Sequence, residues 1–391
     1  MNTLKAKYPD RKVIGFVSLA NPMTDRRAWS GTYYKERESI EWAGYEVRWV
    51  RVHPNAAVSF LIKAILKIRG KVKFWEFSRY FGWLCAKSIC LTEIEACDYL
   101  FFPWGSQTIT YLNKRLSDRC PPIIYYTDST FRLMDGYYWF NLPDWLSRQA
   151  DAGEKHANDC SALVIKSSDW AINSVINDYG YPPEKTAVLE FGANIDEKDI
   201  VVTEPYSGGV LRVLFSGVDW KRKGADTAIE TVRLLNENGI PAQLYLAGIN
   251  ENDIPPEYQH LDFVDYVGFL NKNDPLQYKE YTEVFRRCHC LLLPTHAECA
   301  GIVFNEASAF GFPSFTYDTG GLANYVINGK NGYRLDIHAS ASDFAAIIGK
   351  VIRNNEFPEL RKGALALYEE KNSWRAWSRR FAALMDQHFN R

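Results

Sequence analysis

Glu298 and Glu306 stand with seven residues between them in the segment Pro294-Thr295-His296-Ala297-Glu298-Cys299-Ala300-Gly301-Ile302-Val303-Phe304-Asn305-Glu306. The segment reads as a strand end, a loop and a helix that continues to a stop at Gly311. A loop leaving the carboxyl end of a parallel strand is where open α/β sheets take up ligands. A helix beginning near Ala300 or Gly301 presents free backbone N–H groups and the positive end of its dipole, which suits a phosphate. Gly301 allows that ligand close approach to the backbone. Two carboxylates repel a diphosphate, so Glu298 and Glu306 are better matched to the hydroxyls of a sugar and a ribose. The phosphates then need cations of their own. Lys221-Arg222-Lys223-Gly224 follows the first strand of the same half and supplies them, with Arg222 and Lys223 as candidates to neutralise charge on a departing nucleotide diphosphate. Alone, this triplet reads as a solvated turn; beside the two glutamates it reads as function.

The elements that must hold these groups follow a regular alternation. A strand at Val13–Ser18 leads into a polar loop from Asn21 to Thr32 that contains Ser30-Gly31-Thr32. A helix from about Tyr33 to Ala43 stops at Gly44, and a strand follows at Tyr45–Val50, which makes a βαβ start to a parallel sheet. Further strands are expected at Tyr99–Pro103, Ile123–Tyr126, Ala162–Ile165 and Thr186–Glu190. Ser167-Ser168-Asp169 caps a helix from Trp170 to Asp178. Residues 192–209 are polar and aperiodic, with Pro205, Gly208 and Gly209, and mark a domain boundary. The second half restarts with strand Leu211–Phe215, loop Ser216–Gly224, helix Ala225–Asn236 and strand Gln243–Ala247. A last helix, Ser373 to Phe389, is capped by Ser373. The expected fold class is α/β with two Rossmann-like domains, at 1–200 and 201–372, and a terminal helix at 373–391.

The 391 residues exceed what one ordinary core accommodates and suit two such domains. A net charge of −1 argues against a basic nucleic-acid footprint, so no nucleic-acid partner is expected. Residues 1–10 lack the apolar stretch of an export signal, and no apolar run nears the roughly 20 residues that span a bilayer, so the expected location is cytoplasmic. The eight cysteines include no Cys-x-x-Cys pair and are expected to be reduced. Cys288-His289-Cys290 with His296 fits no common zinc spacing and reads as part of a strand with both cysteines on one face.

Leu61, Ile65, Ile68, Val72 and Trp75 fall at helical spacing, with Lys63, Lys67, Arg69, Lys71 and Lys73 interleaved and Arg79 and Lys87 beyond. Two readings stand side by side. One is a basic amphipathic helix lying on an anionic membrane at 61–87. The other is a core-packed helix with a solvated basic face.

Glu298 and Glu306 with seven residues between them resemble the E-x7-E motif of family 4 retaining glycosyltransferases of GT-B fold. Phe215-Ser216-Gly217-Val218-Asp219-Trp220-Lys221-Arg222-Lys223-Gly224 resembles that family's Lys-Gly phosphate loop. Leu246-Ala247-Gly248, Gly320-Gly321, Asn328-Gly329-Lys330-Asn331-Gly332 and the linker Phe191-Gly192-Ala193-Asn194-Ile195-Asp196 also agree in order and spacing. The resemblance covers nearly all of the second half and is weaker in the first. It implies a GT-B pair of domains facing each other across a cleft, with a UDP- or GDP-sugar donor held by the second domain and no metal or other cofactor. Glu306 would hold the ribose and Glu298 the transferred sugar or its phosphate side. Backbone N–H groups of Gly301, Ile302 and Val303 would touch phosphate and sugar, and the base would stack near Tyr266–Phe269, with Phe269 as its contact. The Gly31 loop would approach the diphosphate and the acceptor, and the last helix would cross back to the first domain. Consistent with metal independence, the chain contains no Asp-x-Asp.

Two departures from the pattern shape the expectations. The family's phosphate loop carries an Arg five or six residues before its Lys, where this chain has Val218 and Gly217, leaving Lys221 or Arg222 to take its place. Where the family often has a cleft-side His, this chain has Ile123-Ile124-Tyr125-Tyr126-Thr127-Asp128, which makes Asp128 the acceptor-side candidate. An Asx turn or cap with Ser129 and Thr130 explains Asp128 equally well. The expected activity is transfer of a hexose-type sugar to a hydroxyl of a glycan or lipid-linked acceptor, in surface polysaccharide or glycoconjugate assembly. Alternatives are a nucleotide-sugar 2-epimerase of the same fold and a catalytically degenerate binding partner.

Overall fold

The structure is a computed structural model that describes residues 11–68, 74–202 and 204–389. These form two compact units. One runs to Ala28, resumes over Thr32–Leu189 and takes Ser378 onward; the other holds Trp29–Gly31 and Glu190–Trp377.

The first unit is built on six parallel strands: β1 (Val13–Ser18), β2 (Glu46–Arg51), β3 (Tyr99–Phe102), β4 (Ile123–Thr127), β5 (Leu163–Lys166) and β6 (Thr186–Val188). Their order across the sheet is β2-β1-β3-β4-β5-β6. Every residue of β1, β3, β4 and β5 is buried. Both faces of the sheet are thus covered, as parallel sheets require, and these strands read as continuous apolar runs. Helix α1 (Thr32–Trp42) joins β1 to β2. The helix at Asp169–Asn177 is capped as expected, the Ser168 hydroxyl accepting from Ala171 N–H at 3.3 Å.

The second unit repeats the plan with β7 (Leu211–Ser216), β8 (Ala242–Ala247), β9 (Val264–Gly268), β10 (Cys290–Leu293), β11 (Ser314–Tyr317) and β12 (Gly332–Leu335). The order is β12-β11-β10-β7-β8-β9, all parallel. The sequence runs outward from β7 in one direction and from β10 in the other. The crevice where the order reverses therefore lies between β7 and β10, the place where such sheets bind ligands. Helix α3 (Ala225–Glu237) leaves the β7 loop, α4 (Pro275–Arg287) precedes β10 and α5 (Ile302–Phe310) follows it. Helix α6 (Trp374–Phe389) starts under a Ser373 cap, whose hydroxyl accepts from Ala376 N–H at 3.1 Å.

The basic segment is described in part. Helix α2 covers Ala56–Ile68, and Arg69, Lys71, Val72 and Lys73 lie outside the described residues. Leu66 is buried, and so is Trp75, in a short turn of its own. Phe60, Leu61, Ile65 and Ile68 are 53–87% exposed, so this apolar stripe is not core. No described helix is long and apolar enough to cross a membrane.

Candidate functional site

Three loops at the carboxyl edge of the second sheet meet at the β7–β10 crevice. After β7, Asp219 caps a four-residue helix, Trp220–Lys223, by accepting from Arg222 N–H at 3.0 Å. Gly224 ends it at φ 70°, and a Cβ there would run into the Pro294 carbonyl at the end of β10. A glycine is needed both for that backbone conformation and for the approach of the two loops. The contact is secured by His296 N–H donating to the Arg222 carbonyl at 2.8 Å and by the Thr295 hydroxyl donating to the same carbonyl at 3.2 Å.

The approach brings the first carboxylate to its cation. Lys223 Nζ donates to Glu298 Oε2, and both side chains are close to nine-tenths buried. Arg222 lies on the same carboxylate, Nη1 at 4.0 Å from Oε2, and donates to the Ala297 carbonyl at 3.2 Å. Of the two replacements considered for the absent arginine, Arg222 is the one that reaches Glu298. Gly301, at φ 63°, is the residue before α5, and a Cβ on it would strike the Phe304 ring. Gly301 and Val303 are buried, and Ile302 is half-buried.

Glu306 lies inside α5 with its side chain 2% exposed, and it too has a cation. Lys272 Nζ donates to Oε1 at 2.6 Å and the Tyr281 hydroxyl donates to Oε2 at 2.6 Å. Burial and the adjacent Glu306 push the Tyr281 hydroxyl well above its ordinary value, so it stays a donor. The two carboxylates read from the sequence are thus each matched to a lysine, one lysine from the β7 loop and one from the segment between β9 and α4.

Neither Lys272 nor Tyr281 was identifiable beforehand. They lie 34 and 25 residues from Glu306 in the chain, and nothing local marks them. The two aromatic residues expected near the base have different surroundings. Tyr266 is engaged elsewhere, its hydroxyl donating to the Tyr258 carbonyl and accepting from Leu261 N–H. Phe269 is 54% exposed just past β9, on the segment that carries Lys272.

The Ser30-Gly31-Thr32 loop was expected in the first domain. Trp29–Gly31 instead belong to the second unit, where the Trp29 ring packs edge-on against Phe191 at 5.3 Å and Asn194 Nδ2 donates to the Ser30 carbonyl at 2.9 Å. Trp29, Ser30 and Gly31 all have positive φ, of 49°, 58° and 93°.

In the first unit Asp128 is half-buried at the carboxyl end of β4 and accepts from the Ser129 hydroxyl at 3.3 Å, while Thr130 caps the next short helix. A local turn is therefore present, and a larger polar cluster surrounds it. Lys166 is fully buried; its ammonium donates to Thr127 Oγ1 at 2.5 Å, the Ser129 carbonyl at 2.8 Å and Glu154 Oε1 at 3.3 Å. Tyr125 donates to Glu154 Oε2 at 3.0 Å. Glu36 of α1 is 0% exposed, with no hydrogen-bond partner on either carboxylate oxygen among the described residues. Burial, then the charge of Asp128, pushes its carboxyl well above the usual range. Among the described residues no three His, Cys, Asp or Glu side chains form a metal-ligand group. His289 instead lies on the Arg212 guanidinium at 2.8 Å, and burial followed by that charge lowers it to about 4.

Residues 203–363 match the family described as glycosyl transferases group 1. The chain is 24% identical over 239 residues to a D-inositol 3-phosphate glycosyltransferase of Gordonia bronchialis, covering 57% of this chain and 51% of that protein. It spans between 51% and 59% of the length of the first such relatives it matches. Its fold is similar to a sucrose-phosphate synthase of Thermosynechococcus elongatus, with a TM-score of 0.70 at 16% identity, covering 97% of this chain and all of the other. It is also similar to Anabaena Alr3699/HepE in complex with UDP and glucose, with a TM-score of 0.63 at 13% identity, covering 96% and 99%. The two parallel six-stranded sheets are thus those of a GT-B fold, and the match to the glycosyl transferases group 1 model falls on the part of the chain that holds the second of them.

Proposed function

We propose that this chain is a retaining, metal-independent glycosyltransferase that moves a hexose-type sugar from a UDP- or GDP-sugar to a hydroxyl of a glycan or lipid-linked acceptor. The observation that carries the reading is the pair of carboxylate–lysine couples, Glu298–Lys223 and Glu306–Lys272, at the crevice between β7 and β10. Their distribution suits a ligand with hydroxyls at two places and a diphosphate between them. Glu306 accepts from the ribose and Glu298 from the transferred sugar, while Lys223, Arg222 and the N–H groups of Gly301, Ile302 and Val303 face the diphosphate. As the anomeric carbon–oxygen bond to the phosphate breaks, these cations take up the negative charge, which is the charge stabilisation such a step needs. The acceptor oxygen bonds to that carbon on the face the phosphate leaves, and its proton passes to the departing phosphate oxygen. Asp128 is the acceptor-side candidate, and Phe269 the base contact.

Surface polysaccharide or glycoconjugate assembly at a membrane is the setting that the exposed stripe of α2 favours, with Lys63 and Lys67 between its apolar residues. The test is calorimetry with UDP and GDP, followed by assay of a nucleotide sugar with and without acceptor glycans. Nucleotide binding with acceptor-dependent release of the nucleotide diphosphate supports the reading. Conversion of the donor without acceptor replaces it with the epimerase, and absence of any nucleotide binding overturns it.

A further inference from the structure

The segment from Phe269 to Tyr281 carries a feature that the two-glutamate pattern alone does not contain. The Lys272 ammonium is fixed from two sides. It donates to Glu306 Oε1 and sits 4.4 Å from the centre of the Tyr281 ring, whose own hydroxyl donates to Oε2 of the same carboxylate. The backbone around it is held as well. Asp274 Oδ1 accepts from Leu276 and Gln277 N–H at the start of α4, Asn271 N–H donates to Gln277 Oε1 at 2.8 Å, and Asp274 N–H donates to the Asn271 carbonyl at 2.9 Å. A lysine on a free loop loses much rotamer freedom when it forms one ion pair. This one is presented by a braced turn, so less is lost.

A carboxylate oxygen has room for two hydrogen bonds. With one donor already on each oxygen, Glu306 keeps one acceptor position per oxygen, in a plane set by its two partners. We propose that Lys272 and Tyr281 are positioning residues that orient Glu306 so that its two remaining acceptor positions read adjacent hydroxyls of the donor's ribose. The inference rests on the nucleotide-sugar reading given above and extends it to how this chain distinguishes a ribonucleotide from its deoxy forms. A carboxylate aligned in this way rejects a ligand that lacks one hydroxyl, because the acceptor is then left dry and unpaired.

The experiment is calorimetric titration of the full chain with UDP and GDP and, for whichever binds, with its 2′-deoxy and 3′-deoxy forms. It is repeated for Tyr281→Phe and Lys272→Met, with a thermal melt of each variant. The parent is expected to bind the ribonucleotide about 10- to 100-fold more tightly than at least one deoxy form, as for a hydrogen bond to a charged group. In each variant the ratio is expected to fall below about threefold, while affinity for the deoxy form stays within about threefold of the parent. A purely structural role would instead weaken both ligands together and leave the ratio unchanged. A parent-like ratio in either variant overturns the inference for that residue. A parent that binds nucleotide without discriminating overturns it for both and leaves the transferase reading intact. A parent that binds no nucleotide removes the transferase reading itself. Lys272→Arg, which keeps the charge, is expected to recover part of the ratio lost in Lys272→Met, and equal loss in the two counts against an electrostatic role for Lys272.

Discussion

Replacing Lys223 by Met tests the buried couple at the centre of the site. The side chains of Lys223 and Glu298 are 11% and 10% exposed, so removing the ammonium leaves a carboxylate with little water to replace it. Breaking one half of a buried ion pair typically costs about 3–5 kcal/mol. Here Arg222 remains 4.0 Å from Glu298 Oε2 and is itself only a quarter exposed, which offsets part of the loss. The expected cost is therefore at the lower end, about 3 kcal/mol. For a body the size of the second unit, that is a fall of about 6–12 °C in its melting temperature. Removing both charges, in Lys223→Met with Glu298→Met, leaves no stranded charge and is expected to return stability to within about 1 kcal/mol of the parent. Differential scanning calorimetry on the parent, both single variants and the double variant gives the cycle. The reasoning fails if the single Lys223 variant melts within about 2 °C of the parent, or if the double variant is as unstable as the singles. Nucleotide binding is expected to be lost in all three, which separates restored folding from restored function.

Glu36→Gln is expected to stabilise the chain increasingly as pH rises. Burial, then Asp128, raises the parent carboxyl, so its contribution is complete below the ordinary carboxylate range and is lost on the way up to the raised value, at about 1.4 kcal/mol per pH unit. Melting curves of the two proteins that run parallel from about pH 5 to pH 8 would contradict this. Gly224→Ala, at φ 70° and facing the Pro294 carbonyl, is expected to cost about 2–3 kcal/mol and to weaken nucleotide binding, checked by thermal melt and calorimetry. The double variant Glu298→Ala, Glu306→Ala is expected to abolish sugar transfer; full activity would refute the assigned roles. Leu61→Ser, Ile65→Ser and Ile68→Ser with Lys63→Glu and Lys67→Glu are expected to abolish cosedimentation with phosphatidylglycerol vesicles.

The parts of the fold legible in the sequence were those set by local rules. The buried strands announced themselves as short apolar runs, and the strand–loop–helix passage from Pro294 to Gly311 follows from apolar periodicity and two glycines. Glu298 and the cations of the β7 loop stand next to glycines in loops that follow strands, and Glu306 lies inside the helix that the Glu298 loop begins, so a local reading of the sequence places them. What stayed hidden is long-range pairing. Lys272 looks like any lysine in a polar turn, and Tyr281 like any helix aromatic, until the sheet order brings α4 against α5. Glu36 was equally unreadable, because charged residues on a helix are ordinarily solvated and only the packing of α1 takes this one out of water. Trp29–Gly31 were assigned by chain order to the first domain, yet edge-on packing of Trp29 on Phe191 draws them to the second unit.

Because Ser378 and the residues after it complete the first unit, each unit is sewn from separated pieces of chain. The Phe381 ring lies between Tyr45 and Phe101 and is wholly enclosed. A fragment ending at Leu189 would leave that slot empty, and one beginning at Glu190 would carry the missing plug as an unsheltered greasy tail. Dissection of this protein therefore calls for transplanting the last fourteen residues onto the amino-terminal fragment by circular permutation, in place of a single cut.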